Sequence, residues 1–361
     1  MNEIPAIVIY AGLLIGVGFG VVGLMSGFCL LSSLRDWWIE RDGRKIRSFA
    51  LAVAVAIIAT QAMSAGGFVE LGRSIYLQPS FSPALIAFGG LMFGYGMVLA
   101  NGCVSRAIVL LGRGNLRSLL VLMTIAIAAE ATLKGLIAPA RIAFLNLSML
   151  TPPAVSLPAL LSNAGLDNGW SRLLAVAGVS GPLLIFALSH PRLSRSWGQL
   201  AAGVGIGVLI SVGWFTTGYL GADDFNPVPI TSLTFIAPVA DTFQYIMLST
   251  GLTLNFGVVL TIGVFAGSLF ASIVTGRFQL EGFSSAHHML RSITGASLMG
   301  CGGAMAYGCS IGQGLTGLST LALPSFIAVI GMIGGAWIGL RAPIQIFSSW
   351  QSIRAAASAG R

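Results

Sequence analysis

Apolar residues in this chain come in long runs, separated by short segments that carry nearly all of the charge. About 20 mostly apolar residues, wound as an α-helix, match the hydrocarbon thickness of a bilayer. Nine such runs are read, at roughly 5–24, 47–65, 82–100, 117–137, 172–189, 199–216, 254–274, 293–308 and 324–340. Four further segments, at roughly 25–36, 101–112, 231–248 and 309–320, are too short to span and too apolar for ordinary loops. Inside a bilayer such segments are tolerated only where protein or a water-filled cavity surrounds them. The pattern predicts an all-α integral membrane protein, a single transmembrane domain over residues 1–361. It has about nine transmembrane helices and four short re-entrant helical elements. The first run is too long for the core of a cleavable signal and lacks a basic leader, so it reads as a retained span.

The loops orient these spans. In the nine-span arrangement one side receives Arg73, Lys134, Arg141 and Arg172, and the other side receives the remaining 15 of the 19 Lys and Arg residues. Cytoplasmic loops carry the excess of Lys and Arg. The expectation is therefore an inner-membrane protein with its N-terminus outside and its C-terminus in the cytoplasm.

Composition agrees. Charged residues make up 8% of the chain, against about 25% in soluble domains, so too few charges exist to cover a water-facing surface. The 48 glycines favour close helix packing and broken helices. The net charge of +8 is carried by short loops without interleaved aromatics, and nucleic-acid binding is not expected.

A shift of 206 residues aligns Cys103 with Cys309, and with it Gly89, Gly94, Gly96, Ala100 and Gly102 with Gly295, Gly300, Gly302, Ala306 and Gly308. Residues 1–138 and 199–341 share the order span, short piece, span, span, short piece, span, with a linking span near 172–189. Five spans precede the second half, so it enters the membrane upside down. Secondary transporters built from inverted repeats place their substrate sites near the midplane, at discontinuous helices in matching positions of the two halves.

Those positions are Ala100-Asn101-Gly102-Cys103 and Ala306-Tyr307-Gly308-Cys309, where Gly-Cys closes a span and opens a short piece. The N–H groups at the start of a helix attract anions, and a thiol there is a weak, polarisable donor that holds an ion without trapping it. Cys29 lies in the first short piece, in Ser26-Gly27-Phe28-Cys29, and Cys301 reads as packing. Three supporting candidates are Asn101 beside the first thiol, Arg106 as a counter-charge or a positive-inside anchor, and Gln313 as an amide donor or a cap. Glu130 and Lys134, spaced i to i+4, read as a structural pair. His287 and His288 fall in a loop of the charged side. None of the cysteines forms a CxxC pair, and no cofactor or metal site is expected.

At these motifs the chain resembles the YeeE/YedE family of membrane proteins. The resemblance is carried by Gly94-Tyr95-Gly96 and Ala100-Asn101-Gly102-Cys103, by Thr231-Ser232-Leu233-Thr234-Phe235, and by Gly308-Cys309-Ser310-Ile311-Gly312-Gln313-Gly314. It implies an hourglass of nine spans and four short helical elements, and uptake of thiosulfate or a closely related sulfur-containing anion through a central path lined by Cys29, Cys103 and Cys309. Two other functions stay open at this point. One is a membrane thiol or persulfide redox enzyme. The other is a membrane partner of a cytoplasmic sulfur-carrier protein, docked at the basic loop Arg41-Asp42-Gly43-Arg44-Lys45.

Overall fold

The computed structural model describes residues 5–189, 193, 196–222, 228–283 and 285–341. Arg192, Arg195, Arg354 and Arg361, counted on the charged side, lie outside them. Among the described residues the chain is predominantly α-helical, and strand pairing is limited to isolated bridges. The helices are α1 (Ala6–Ser26), α2 (Leu30–Trp38), α3 (Arg44–Ala65), α4 (Pro83–Ala100), α5 (Val104–Gly112), α6 (Leu116–Leu133) and α7 (Ala138–Leu147). They continue with α8 (Leu157–Asn163), α9 (Asn168–Leu188), α10 (Trp197–Phe215), α11 (Ile236–Leu248), α12 (Phe256–Val274), α13 (Ala286–Met305) and α14 (Leu323–Arg341).

Polar residues at the chain's entry points fix where several helices begin. Ser82 and Asn255 accept N–H bonds from Leu85 and Val258 at 3.0 and 2.8 Å, opening α4 and α12. Such caps satisfy donors that a helix start otherwise leaves bare.

Eight stretches among the described residues are long and apolar enough to cross a membrane. The ninth expected span falls on α13, whose first two turns carry His287, His288 and Arg291 and so lower its apolarity. The two histidines therefore sit on the opening turn of a helix rather than in a loop. Two of the eight stretches are interrupted. α1 and α2 are parted at Gly27, in the left-handed region at φ 65°, and α4 and α5 at Asn101, at φ 57°. Of the four short pieces expected, three are the helices α2, α5 and α11, and the fourth is a wide π-type turn, Gly312–Gly317. The sequence pattern missed α7 and α8, which occupy the long connection between α6 and α9.

Helices cross where both backbones are bare. A Cβ on Gly89 would lie 2.7 Å from the Gly302 carbonyl oxygen, and one on Gly302 would lie 2.6 Å from that of Gly89. Gly96 and Gly295 face each other in the same way, at 2.6 and 2.7 Å. Small residues let helices approach this closely in lipid, where packing rather than a hydrophobic drive holds them. The most extensive contacts pair α4 with α14, α1 with α12, α4 with α13, α3 with α10 and α6 with α13.

Candidate functional site

The breaks between helices place the thiols. α4 ends with Asn101 in the left-handed region, and the Gly102 N–H donates back to the Met97 carbonyl at 3.0 Å. α13 ends in the same way: Tyr307 has φ 56° and the Gly308 N–H donates to the Gly303 carbonyl at 2.9 Å. This six-to-one bond closes a helix while turning the chain sharply. Each break then delivers a cysteine. Cys103 stands at the N-cap of α5, and Cys309 precedes the wide turn, where the Gly312 N–H points at its Sγ from 3.3 Å. Cys29 occupies the N-cap of α2 after the Gly27 break.

All three thiols are buried, with no more than 1% of the residue exposed. Cys29 and Cys103 meet, their sulfurs 3.3 Å apart, and the Ser105 hydroxyl lies 3.3 Å from the Cys103 sulfur. Both cysteines are reduced. Cys301 is only partly buried and packs toward the Ala128 carbonyl of α6.

Cavities approach the thiols from two sides. One, of about 670 Å³, reaches Cys103 and is lined by Asn101, Arg106, Arg35, Arg117 and Arg291. A smaller one of about 220 Å³ beside it reaches Cys29 and shares Arg35, Asn101 and Arg106. The third, of about 280 Å³, lies at the other break and is lined by Tyr307, Gly308 and Gln313 together with Tyr76 and Thr234. The structure thus brings Cys29, Cys103, Asn101 and Arg106 together, whereas Gln313 lines the third cavity and Cys309 follows Gly308, which lines it too.

Asn101 accepts a long bond from Arg35, at 3.4 Å. Arg106 Nε is buried without a hydrogen-bond partner. The Gln313 amide nitrogen donates to the Ala306 carbonyl at the end of α13, at 2.6 Å. Its Oε1, with the buried hydroxyls of Ser310 and Ser325, has no partner. Glu130 and Lys134 pair at 3.3 Å near the α6 terminus, as their spacing implies. Sequence reasoning missed Arg35, Arg117 and Arg291 as cavity residues, and Tyr76 and Ser105 altogether. An arginine in a short loop looks the same whether it faces a headgroup or a cavity. Among the described residues no group of His, Cys, Asp and Glu is arranged to hold a metal ion.

Fold and site together define a polytopic α-helical membrane protein of the broken-helix type, with buried thiols at the breaks. The chain belongs to the sulphur transport family, whose model matches residues 25–338. It is 24% identical over 356 residues to a thiosulfate transporter TsuA of Escherichia coli strain K12, covering 91% of this chain and 93% of that protein. It is 27% identical over 345 residues to a thiosulfate transporter TsuA of Spirochaeta thermophila, covering 91% and 97%. A probable transporter YedE of Escherichia coli strain K12 is 37% identical over 91 residues, a quarter of this chain.

Proposed function

We propose that this chain takes up thiosulfate across the inner membrane, through a central path on which Cys29, Cys103 and Cys309 present their thiols. The observation that carries this reading is the placement of buried thiols at the two Gly-Cys breaks, Cys103 lining one cavity and Cys309 following Gly308, which lines another. Likeness to proteins named as thiosulfate transporters, along nine-tenths of the chain, supports the cargo. A dianion entering low dielectric needs donors to replace its water. Thiols and helix-start N–H groups supply weak ones, and weak binding lets the ion leave. The Cys29 and Cys103 sulfurs lie 3.3 Å apart, so on this reading an ion that reaches one thiol meets the other directly.

The crossings support an inverted repeat of residues 1–138 and 199–341. Gly89 and Gly96 are aligned with Gly295 and Gly302, yet Gly89 touches Gly302 and Gly96 touches Gly295. A two-fold relation produces this reciprocal pattern. Nine spans, α13 included, then place the N-terminus outside and the C-terminus in the cytoplasm, so that the arginine-lined cavity faces inward. A soluble sulfur-carrier protein would collect the ion on that face.

The test is uptake of labelled anions by purified protein in liposomes, with thiosulfate, sulfate, sulfite and selenite compared. Thiosulfate should accumulate well above protein-free liposomes and the label should remain thiosulfate. Uptake no faster than in empty liposomes would end the proposal. The touching thiols also favour one rival, a redox enzyme using the Cys29–Cys103 pair. That reading requires the added anion to emerge chemically changed.

A further inference from the structure

Four arginines converge on the 670 Å³ cavity: Arg35, Arg106, Arg117 and Arg291. They come from four different helices, α2, α5, α6 and α13. No aspartate or glutamate lines the cavity. Asp36 and Glu40 line the adjoining 220 Å³ cavity with Arg35 and Arg106, Asp36 paired with Lys45 at 2.7 Å, and Glu281 pairs with Arg113 and the Asn115 amide. None of the four arginines has an ion-pair partner among the described residues. Among the described residues their hydrogen bonds go to neutral oxygens of Asn101, Gly282 and Val98, and Arg106 Nε has none although it is buried. Anchors of the positive-inside kind point outward to headgroups and water. Like charges gathered around one concave space focus a positive potential into it.

From this geometry we infer a second anion site, one that reads charge and oxygen rather than sulfur. Guanidinium forks bind tetrahedral oxyanions through paired N–H donors, and rings of arginine line anion pores. The cavity lies within the usual size range of ligand sites, about 300–1,000 Å³. Its ligand class is a free tetrahedral oxyanion dianion, sulfate as readily as thiosulfate. Selection for a terminal sulfur is left to the thiols, and the vestibule next to Cys103 collects what passes them. Oxyanions already present on that side compete there with the departing ion. The same chemistry is offered by an anionic lipid headgroup, and the experiment separates the two sources.

The measurement is equilibrium binding of radiolabelled sulfate to purified protein in neutral detergent, with gluconate holding ionic strength constant. Sulfate should bind saturably and be displaced by thiosulfate at comparable concentration. Arg106→Gln combined with Arg291→Gln should raise the dissociation constant at least tenfold. Arg35→Gln alters an exposed side chain held by one long bond, so it leaves the fold intact; it should weaken binding threefold or more. Gly334→Ala on α14, where a Cβ meets nothing within 4 Å and which does not line the cavity, should bind sulfate like the parent. Binding should persist in nanodiscs containing phosphatidylglycerol. Absence of saturable binding, or affinity unchanged in Arg35→Gln, would overturn the site. Loss of sulfate binding in the phosphatidylglycerol nanodiscs would reassign the cavity to a lipid headgroup and overturn it as a free-ion site. None of these readings depends on transport: a parent protein that fails to take up thiosulfate would sink the transport proposal and leave sulfate binding measurable.

Discussion

Each thiol can give an ion one weak contact, on the order of 1 kcal/mol as a net hydrogen bond. Losing one such contact changes a rate about fivefold. Loss beyond that scale means the thiols act in series, each step required by the next. Cys103→Ala and Cys309→Ala should each abolish thiosulfate uptake while the protein still inserts and purifies, because both sit among glycine-rich turns that accept a methyl group. Cys103→Ser keeps a donor of similar shape, 3.3 Å from Ser105, and exchanges soft sulfur for oxygen. It should be inactive or severely slowed, and sulfate should compete poorly against thiosulfate in the parent. Cys29→Ala should impair uptake, since its sulfur touches that of Cys103, whereas Cys301→Ala, against α6, should be near neutral. Parent-like rates in both Cys103→Ala and Cys309→Ala would return the Gly-Cys breaks to packing. These cysteines were legible in the sequence because each ends an apolar run with the same Gly-Cys step. The direct contact of Cys29 with Cys103 was not, since residues 74 apart in sequence are joined only by how α1 meets α5 and α2 meets α4.

At the scale of elements, glycine decides which helices touch. The α4–α13 crossing is backbone against backbone at Gly89–Gly302 and Gly96–Gly295, with no space for a side chain. Gly302→Leu should therefore force the helices apart and destabilise the protein by more than the about 1–3 kcal/mol typical of overpacking. The expected readout is loss of the monodisperse peak in size-exclusion chromatography and a fall of several degrees in unfolding temperature. Gly334→Ala on α14, where a Cβ meets nothing within 4 Å, should leave both unchanged. An intact Gly302→Leu protein would remove the crossing as a determinant of the fold. Apolar run length predicted the long helices well, because a bilayer demands that length. It failed at α7 and α8, whose 10 and 7 residues answer to no such demand. It also rendered Gly312–Gly317 as a short α-helical piece, whereas the chain forms a wide π-type turn there, in which a side chain at Gly312 would strike Thr234 and one at Gly317 would strike Ser325.

For the whole molecule, the packing pairs fit the proposed repeat of two halves. α1 lies along α12 while α10 lies along α3, and α4 meets α14 while α13 meets α6. Under the 206-residue shift α3, α4 and α6 fall on α12, α13 and α14, so the α4–α14 and α13–α6 pairings are each other's counterparts with the halves exchanged. The sequence hinted at this relation through a few glycines; the reciprocity appears only in the contacts, because alignment says which residues correspond and not which ones meet. A two-fold relation in the membrane plane requires the halves to face opposite ways, which an odd number of spans before the second half provides. With 15 of 19 basic residues on one side, that side should be the cytoplasm. Single cysteines at Gly43, in the basic loop before α3, and at Ala164, exposed after α8, test this in a background lacking the four native ones. In intact cells an impermeant thiol reagent should label position 164 and spare position 43, and permeabilisation should expose position 43. Labelling of 43 with protection of 164 would invert the molecule and put the four-arginine cavity outside. Labelling of both in intact cells would mean an even number of crossings between them, and the inverted repeat would fall with the span count.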